Sequence, residues 1–422
     1  MSEWKKYKIY TLIESQVLII GDGYRAKNSE LSIDKGLPFA RAGNINDGFK
    51  LENTECLAPE NLHKAGEKIS QVGDVLFTSK GTVGRVAFVT NMIPEFVYSP
   101  QLTWWRILDT KQIHPEFLYC WMRGLEFISQ INSFSGQTDM AAYVSLTDQR
   151  RMMYMTLPNI EEQKEITAAI SCLDRKISNL RQQNETLESI AQTLFKHWFV
   201  DFEFPNEDGK PYKSSGGAMV RSDLGDIPVG WNVEKLGEIY KTTSGGTPSR
   251  KESEYYAETG IRWVKSKELY STFVLDTEEK ITPLGLKNSS AKLLPARTVL
   301  IAMYGATVGQ VSILGIDSTC NQAICAVIEQ QYSAYFIYLW LKHTEKEWTG
   351  MAIGSAQQNL SQILISKINI LISSVNLNNK FNAVISPLFQ KILINSTQVQ
   401  TLTKTRDRLL PKLMSGQLRI PE

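Results

Sequence analysis

From Ile166 onward the apolar positions fall at Ile166, Ile170, Leu173, Ile177, Leu180, Leu187, Ala191, Leu194 and Trp198, and Asn184 lies on the same seam. The gaps alternate between four and three residues, which predicts a helix with a coiled-coil heptad. A second seam runs through Phe381, Ile385, Leu388, Ile392, Asn395, Val399, Leu402, Arg406, Leu409 and Leu413. Each seam carries one asparagine. Reversing a helix reverses the order of its gaps, so in an antiparallel pair an a position lies level with a d position. Asn184 occupies an a position and Asn395 a d position. If they face each other their numbers sum to 579, and the same sum pairs Ile166 with Leu413 and Trp198 with Phe381.

A buried asparagine fixes register at some cost in stability, and two that meet can satisfy each other. The expected misfit is Arg406 opposite Leu173, tolerable if the guanidinium snorkels outward. The competing reading is two independent core helices. In the antiparallel reading, the 33 residues from Ile166 to Trp198 make a spacer of about 50 Å at 1.5 Å per residue. One helix leaves the first domain and the other returns, with the domains at opposite ends in a pseudo-twofold repeat. Such a ruler suits two separated half-sites on one DNA duplex.

Outside the helices the pattern changes to alternation typical of strands, as in Asp74 to Val89 and Thr298 to Ile313, with short helical stretches around Trp121 and Trp340. These segments echo each other. Residues 35–42 recur at 259–266, 75–86 at 299–311 with one insertion, 117–123 at 336–342, and 170–177 at 385–392. The chain therefore contains itself twice, and a mixed α/β class is expected. Residues 204–217 are dense in turn formers and read as a surface linker. The plan is a first domain over 1–160, a helix over 161–200, a linker over 201–229, a second domain over 230–375, a helix over 376–414 and a tail over 415–422.

A chain of 422 residues with 42% apolar content can bury more than one core. The net charge of +2 and pI near 8.1 do not announce nucleic acid, so any basic surface must be local. The charge is uneven along the chain. Residues 161–198 carry five basic and six acidic side chains, a net of −1, whereas 376–414 carry six and one, a net of +5. The five cysteines are scattered without a Cys-x-x-Cys pair, and the four histidines have no metal-ligand spacing. Neither a signal peptide nor a membrane span is visible, so a cytoplasmic location is expected. There is no phosphate-binding Gly-x-x-x-x-Gly-Lys-[Ser/Thr] loop, no Asn/Asp-Pro-Pro-Tyr/Phe element of an adenine methyltransferase, and no nominated nucleophile.

Three segments complete the picture: Leu157-Pro158-Asn159-Ile160-Glu161-Glu162-Gln163-Lys164 before the first helix, residues 194–204 at its end, and Arg408-Leu409-Leu410-Pro411-Lys412-Leu413-Met414-Ser415-Gly416 near the C-terminus. With them the chain resembles, over essentially its whole length, the specificity subunits of Type I restriction-modification systems. The second helix lacks the Pro and Glu-Gln entry of the first. The resemblance implies two target-recognition domains joined by two long helices in an antiparallel coiled coil. Each domain would read half of a bipartite site on double-stranded DNA. It also implies two modification (methyltransferase) subunits and ATP-dependent restriction subunits as partners, with S-adenosylmethionine, ATP and magnesium held by them. This chain would carry no cofactor, no metal and no catalysis.

Contact with DNA needs cations and amides for phosphates, and donors and acceptors for base edges. The repeated glycine loops offer Lys80, Gly81, Thr82 and Arg85 in the first domain, and Tyr304, Gly305, Thr307 and Gln310 in the second. Basic turns early in each domain offer Tyr24, Arg25 and Lys27, and Thr247 and Arg250. The echo at 35–42 and 259–266 offers Arg41, Lys265 and Ser266. Polar clusters before the last strand of each domain supply Gln137 and Thr138, and Gln357, Gln358 and Asn359. Trp104, Trp105, Trp121 and Trp340 read as core. The side chains differ between the domains, so an asymmetric target is expected. Rival readings are a DNA methyltransferase or nuclease with attached recognition domains, a coiled-coil scaffold that binds protein, and a specificity subunit serving a fused nuclease-methyltransferase partner.

Overall fold

The computed structural model describes residues 4–45, 48–135, 143–350 and 359–420. It divides into two compact units, Met1–Lys176 with Leu402–Glu422, and Ile177–Thr401.

In the first unit an antiparallel sheet runs in the order Leu18–Asp22, Leu102–Ile107, Val75–Thr78, Val86–Phe88. Val75–Thr78 is buried along its whole length, as expected for a β-rich run covered on both faces. A smaller sheet joins Leu31–Ser32, Cys56–Leu57, Leu37–Ala40 and Val97–Tyr98, the last two in parallel. Lys5–Lys8 pairs with Tyr154–Leu157 and closes the domain's two ends on each other. The helix Pro115–Met122, with proline in its first turn, lays Phe117, Leu118 and Trp121 on the sheet. Trp104, Trp105 and Trp121 are core residues as expected, and Trp105, Trp121 and Phe127 pack at 5.1–6.4 Å between ring centroids. Asp74 is fully buried, and it accepts from Arg106 Nε at 2.7 Å, Arg106 Nη2 at 2.8 Å and the Tyr98 hydroxyl at 2.7 Å.

The second unit repeats this topology and adds one strand to it. Lys241–Ser244, Ile324–Ile328, Val299–Ala302 and Val311–Leu314 follow in the same order with the same polarity. Phe273–Val274 adds a fifth, parallel strand. Tyr256–Ala257, Lys280–Ile281, Ile261–Val264 and Thr319–Cys320 form the smaller sheet. Asn232–Lys235 and Asn369–Ile372 close the ends. Ser333 caps the helix Ala334–His343, which buries Trp340. Mixed α/β content and two domain repeats were the reading of the sequence, and both are present.

The segment after the first helix departs from that reading. Residues 204–217 are not a bare surface linker. Phe204 stacks on Trp231 and Tyr212, with centroids 5.2 and 4.6 Å away, and Phe202, Phe204 and Ile227 join the second unit's core. Met219–Ser222 pairs with Gly225–Pro228 as a hairpin. Turn formers set the path of this segment, but its aromatic rings fix it to the core.

The two long helices are Ile160–Phe199 and Val375–Met414, forty residues each. Asn159 Oδ1 accepts from Glu162 N–H at 2.8 Å at the first entry, and buried Gln163 bonds His114 N–H and the carbonyls of Gln112 and Pro158. The second entry, lacking that motif, uses Ser374 Oγ to accept from Leu377 N–H.

Side chains of the two helices meet in both units, and the contacts that follow share one register. In the second unit Trp198 and Phe381 lie 5.3 Å apart, Asn395 Nδ2 donates to Gln183 Oε1 at 3.3 Å, and Asn184 Nδ2 donates to Ser396 Oγ at 3.1 Å. In the first unit Arg406 Nη1 donates to Asp174 Oδ1 at 2.9 Å, and Ile166 and Leu413 share one core. Two details correct the expectation from sequence. The asparagines do not bond each other, because Gln183 and Ser396 reach into the seam first, and both Oδ1 atoms stay buried without a hydrogen bond among the described residues. Arg406 does not snorkel free, because Asp174 holds it.

Candidate nucleic-acid interface

The antiparallel order of each large sheet brings three chain reversals to one edge. In the first unit these follow Asp22, follow Thr78, and precede Leu102. Backbone bonds tie them together: Tyr24 N–H to Tyr98 O at 2.7 Å, Ser79 N–H to Gln101 O at 2.9 Å, and Val144 N–H to Ser79 O at 3.0 Å. The second unit repeats the junction with Gly246 to Cys320, Met303 to Ala323 and Leu360 to Met303. The glycine loops sit here. Gly81 and Gly84 have φ of +79° and +99°, and Gly305 and Gly309 have +73° and +90°. These left-handed conformations account for the repeated glycines. A Cβ on Gly81 or Gly305 would meet nothing within 4 Å, so their backbones are open to a ligand.

Around the first junction the candidate side chains divide into free and engaged. Arg25 and Lys27 are exposed and pair with no described carboxylate; the Lys27 backbone N–H donates to Glu30. Lys80 Nζ lies 4.7 Å from the centroid of the Tyr143 ring. Arg41 makes a solvent-exposed pair with Glu55 at 2.6 Å, an arrangement typically contributing only about 0–1 kcal/mol. Arg85 is structural in this geometry, since its guanidinium donates to the carbonyls of Ala42 and Ile45 at 3.4 and 3.3 Å and braces that turn. The Thr82 carbonyl accepts from the Thr78 hydroxyl. Tyr24 packs in a small core and donates to Glu30. Lys64, the strongest influence on Glu30, holds that carboxyl down at about 2.

The second junction is less basic. Arg250 donates to Glu279 and lies over the rings of Tyr256 and Trp263 at 4.4 and 5.0 Å. Lys265 Nζ reaches both Glu278 and Glu279 at 2.8 Å. The Arg250 guanidinium, followed by Lys265, lowers the Glu279 carboxyl to about 2. Both cations are thus neutralised from within. Ser266 opens the following turn, Ser266–Glu268. Thr247 donates to Gln322. Tyr304 is 40% exposed and forms a bridge with Asn359, the Thr307 hydroxyl donates to Tyr304 O, and Gln310 is exposed. Gln137, Thr138, Gln357 and Gln358 lie outside the described residues.

Two further glutamines, Gln101 and Gln322, stand at these junctions and were not among the candidates read from the sequence. Each is exposed in the turn that precedes a central strand, at Leu102 and Ile324 respectively. The pairs Pro100-Gln101 and Asn321-Gln322 just before matching strands were the available signal.

Among the described residues no histidine, cysteine and carboxylate side chains gather into a metal-binding group, and no helix is long and apolar enough to cross a membrane. All five cysteines are free thiols, and burial pushes Cys120, Cys320 and Cys325 up to about 12.

The chain is similar to the specificity subunit of the Type I restriction enzyme MjaIX of Methanocaldococcus jannaschii, with 30% identity over 84% of this chain and 80% of the relative. It is also similar to the HindI specificity subunit of Haemophilus influenzae, at 26% identity over 99% and 100%. The crystal structure of a Type I restriction-modification S subunit from M. genitalium shares the fold, with a TM-score of 0.57 at 16% identity over 98% of this chain and 96% of that one. The family model for the Type I restriction modification DNA specificity domain matches residues 1–189 and 228–404. With that match covering most of both repeats, the chain belongs to the Type I restriction-modification DNA specificity family.

Proposed function

We propose that this chain is the non-catalytic address of a Type I complex, in which two unlike target-recognition domains read the two halves of an interrupted, asymmetric site on double-stranded DNA. The observation that carries the reading is the register of the long helices. The contacts Asp174–Arg406, Gln183–Asn395, Asn184–Ser396 and Trp198–Phe381 join residues whose numbers sum to 579 or within one of it. Such constancy supports one antiparallel coiled coil of fixed length, about 60 Å for forty residues. The unlike side chains of the two junctions support unlike half-sites.

In this reading the helices also dock two modification subunits, and restriction subunits join that assembly in the cytoplasm. S-adenosylmethionine, ATP and magnesium then serve the partners. The candidate residues contribute in different ways. Lys80, Arg25 and Lys27 approach phosphates, the glycine loops allow the backbone close to them, and Arg85 and Arg41 shape the turn beside them. Tyr304, Gln310, Asn359 and the glutamines outside the described residues offer groups to base edges. The test is coexpression with the modification subunit of the same genome, followed by mapping of methylated adenines. An interrupted motif with two different halves is expected, and a continuous motif overturns the reading.

A further inference from the structure

Gln101 is held at both ends of the residue. Its carbonyl accepts from Ser79 N–H at 2.9 Å, and its side-chain Oε1 accepts from Ala42 N–H at 3.0 Å. The turn that supplies Ala42 is itself fixed, since the Arg85 guanidinium donates to the carbonyls of Ala42 and Ile45. A backbone N–H can only donate, so the oxygen of the Gln101 amide must be the inward atom. Its Nε2 therefore points away from that bond, on an exposed residue, and bonds no described residue. Orientation of a free surface glutamine is normally averaged by rotation, whereas this one presents two N–H donors in a set direction from the junction that carries Lys80 and Gly81.

We infer that Gln101 is a specificity-determining residue that reads a base-edge acceptor, such as guanine O6 or N7, adenine N7 or thymine O4, through Nε2. The inference rests on the proposed DNA reading and assigns one position within it. Oε1 is turned towards Ala42 and the outward Nε2 carries donors only, so Nε2 reads acceptors and not the N4 donor of cytosine. In the second unit Gln322 stands one position earlier in the matching turn and pairs with a hydroxyl, Thr247, so the two junctions present different patterns.

The experiment uses the full chain coexpressed with its modification subunit, with methylated adenines mapped for wild type, Gln101→Glu and Gln101→Ala. Glu keeps an oxygen for Ala42 and replaces the outward donor with an acceptor. Gln101→Glu is expected to alter the preferred base at one position of one half-site, by about tenfold or more in relative methylation. Gln101→Ala is expected to make the same position degenerate, with the other half-site unchanged in both variants. An unaltered motif in both variants overturns the inference, as does a loss of methylation that is uniform over all sequences. Absence of any interrupted motif for the wild-type chain would instead count against the broader DNA reading.

Discussion

Arg406 of the second long helix donates to Asp174 of the first at 2.9 Å, and Arg123 of the first domain donates to the other oxygen of the same carboxylate at 2.7 Å. One acidic side chain thus joins three segments of the first unit. All three groups are largely shielded, with side-chain exposures of 15–27%. The equivalent position of the second helix is Phe389, which stacks on Tyr335 at 4.4 Å. The two repeats attach to their helices by different chemistry.

Asp174→Ala should therefore leave two guanidinium groups without their shared counter-charge. The expected cost is about 1–3 kcal/mol, between that of an exposed and a buried pair. Urea unfolding of the variant checks it, and a double-mutant cycle with Arg406→Ala should return a coupling well above the error of the method.

The seam asparagines give a prediction of opposite sign. Asn395 is fully buried, its Oδ1 has no described partner, and its single bond goes to exposed Gln183. Asn395→Leu should stabilise the helix pair by about 1–2 kcal/mol, because an unsatisfied oxygen is replaced by apolar contact and Gln183 can bond water instead. Thermal unfolding of the two chains decides it.

Charge at the junctions should appear in the salt dependence of DNA binding. Lys80→Ala and Arg25→Ala should each lower the slope of log affinity against log salt by about one. Arg250→Ala should change it far less, since Glu279 already neutralises that guanidinium. Titrations of the assembled complex with duplex DNA at several salt concentrations compare them.

The same pair makes a pH prediction. Glu279 is held at about 2 against an ordinary 4.5, first by Arg250 and then by Lys265. A depressed carboxyl contributes its stability above the unfolded value and loses it as pH falls. The difference in melting temperature between wild type and Glu279→Gln should thus be full above about pH 4.5 and fade towards pH 2.

Much of this architecture was legible in the residues. Heptad spacing located both long helices and their register, because a buried seam repeats its constraint every turn. The echoes at 75–86 and 299–311 marked the central strands, because buried strands tolerate few residue types. What escaped depended on contacts distant in sequence. Nothing local announces that Glu279 would neutralise Arg250 and Lys265, or that Asp174 would capture Arg406. Phe202 and Phe204 were masked by the turn formers around them, and Gln101 acquires its meaning only from the backbone N–H of Ala42.

In the proposed function each repeat is a separate reader on a common spacer. Lys5–Leu157 and Asn232–Ile372 are topologically equivalent and each is closed by its own terminal strand pair. Replacing residues 232–372 with a second copy of residues 5–157, and mapping methylated adenines in the coexpressed complex, isolates this property. A symmetric interrupted motif made of two inverted copies of one half-site is expected. An asymmetric motif unchanged from wild type would contradict it.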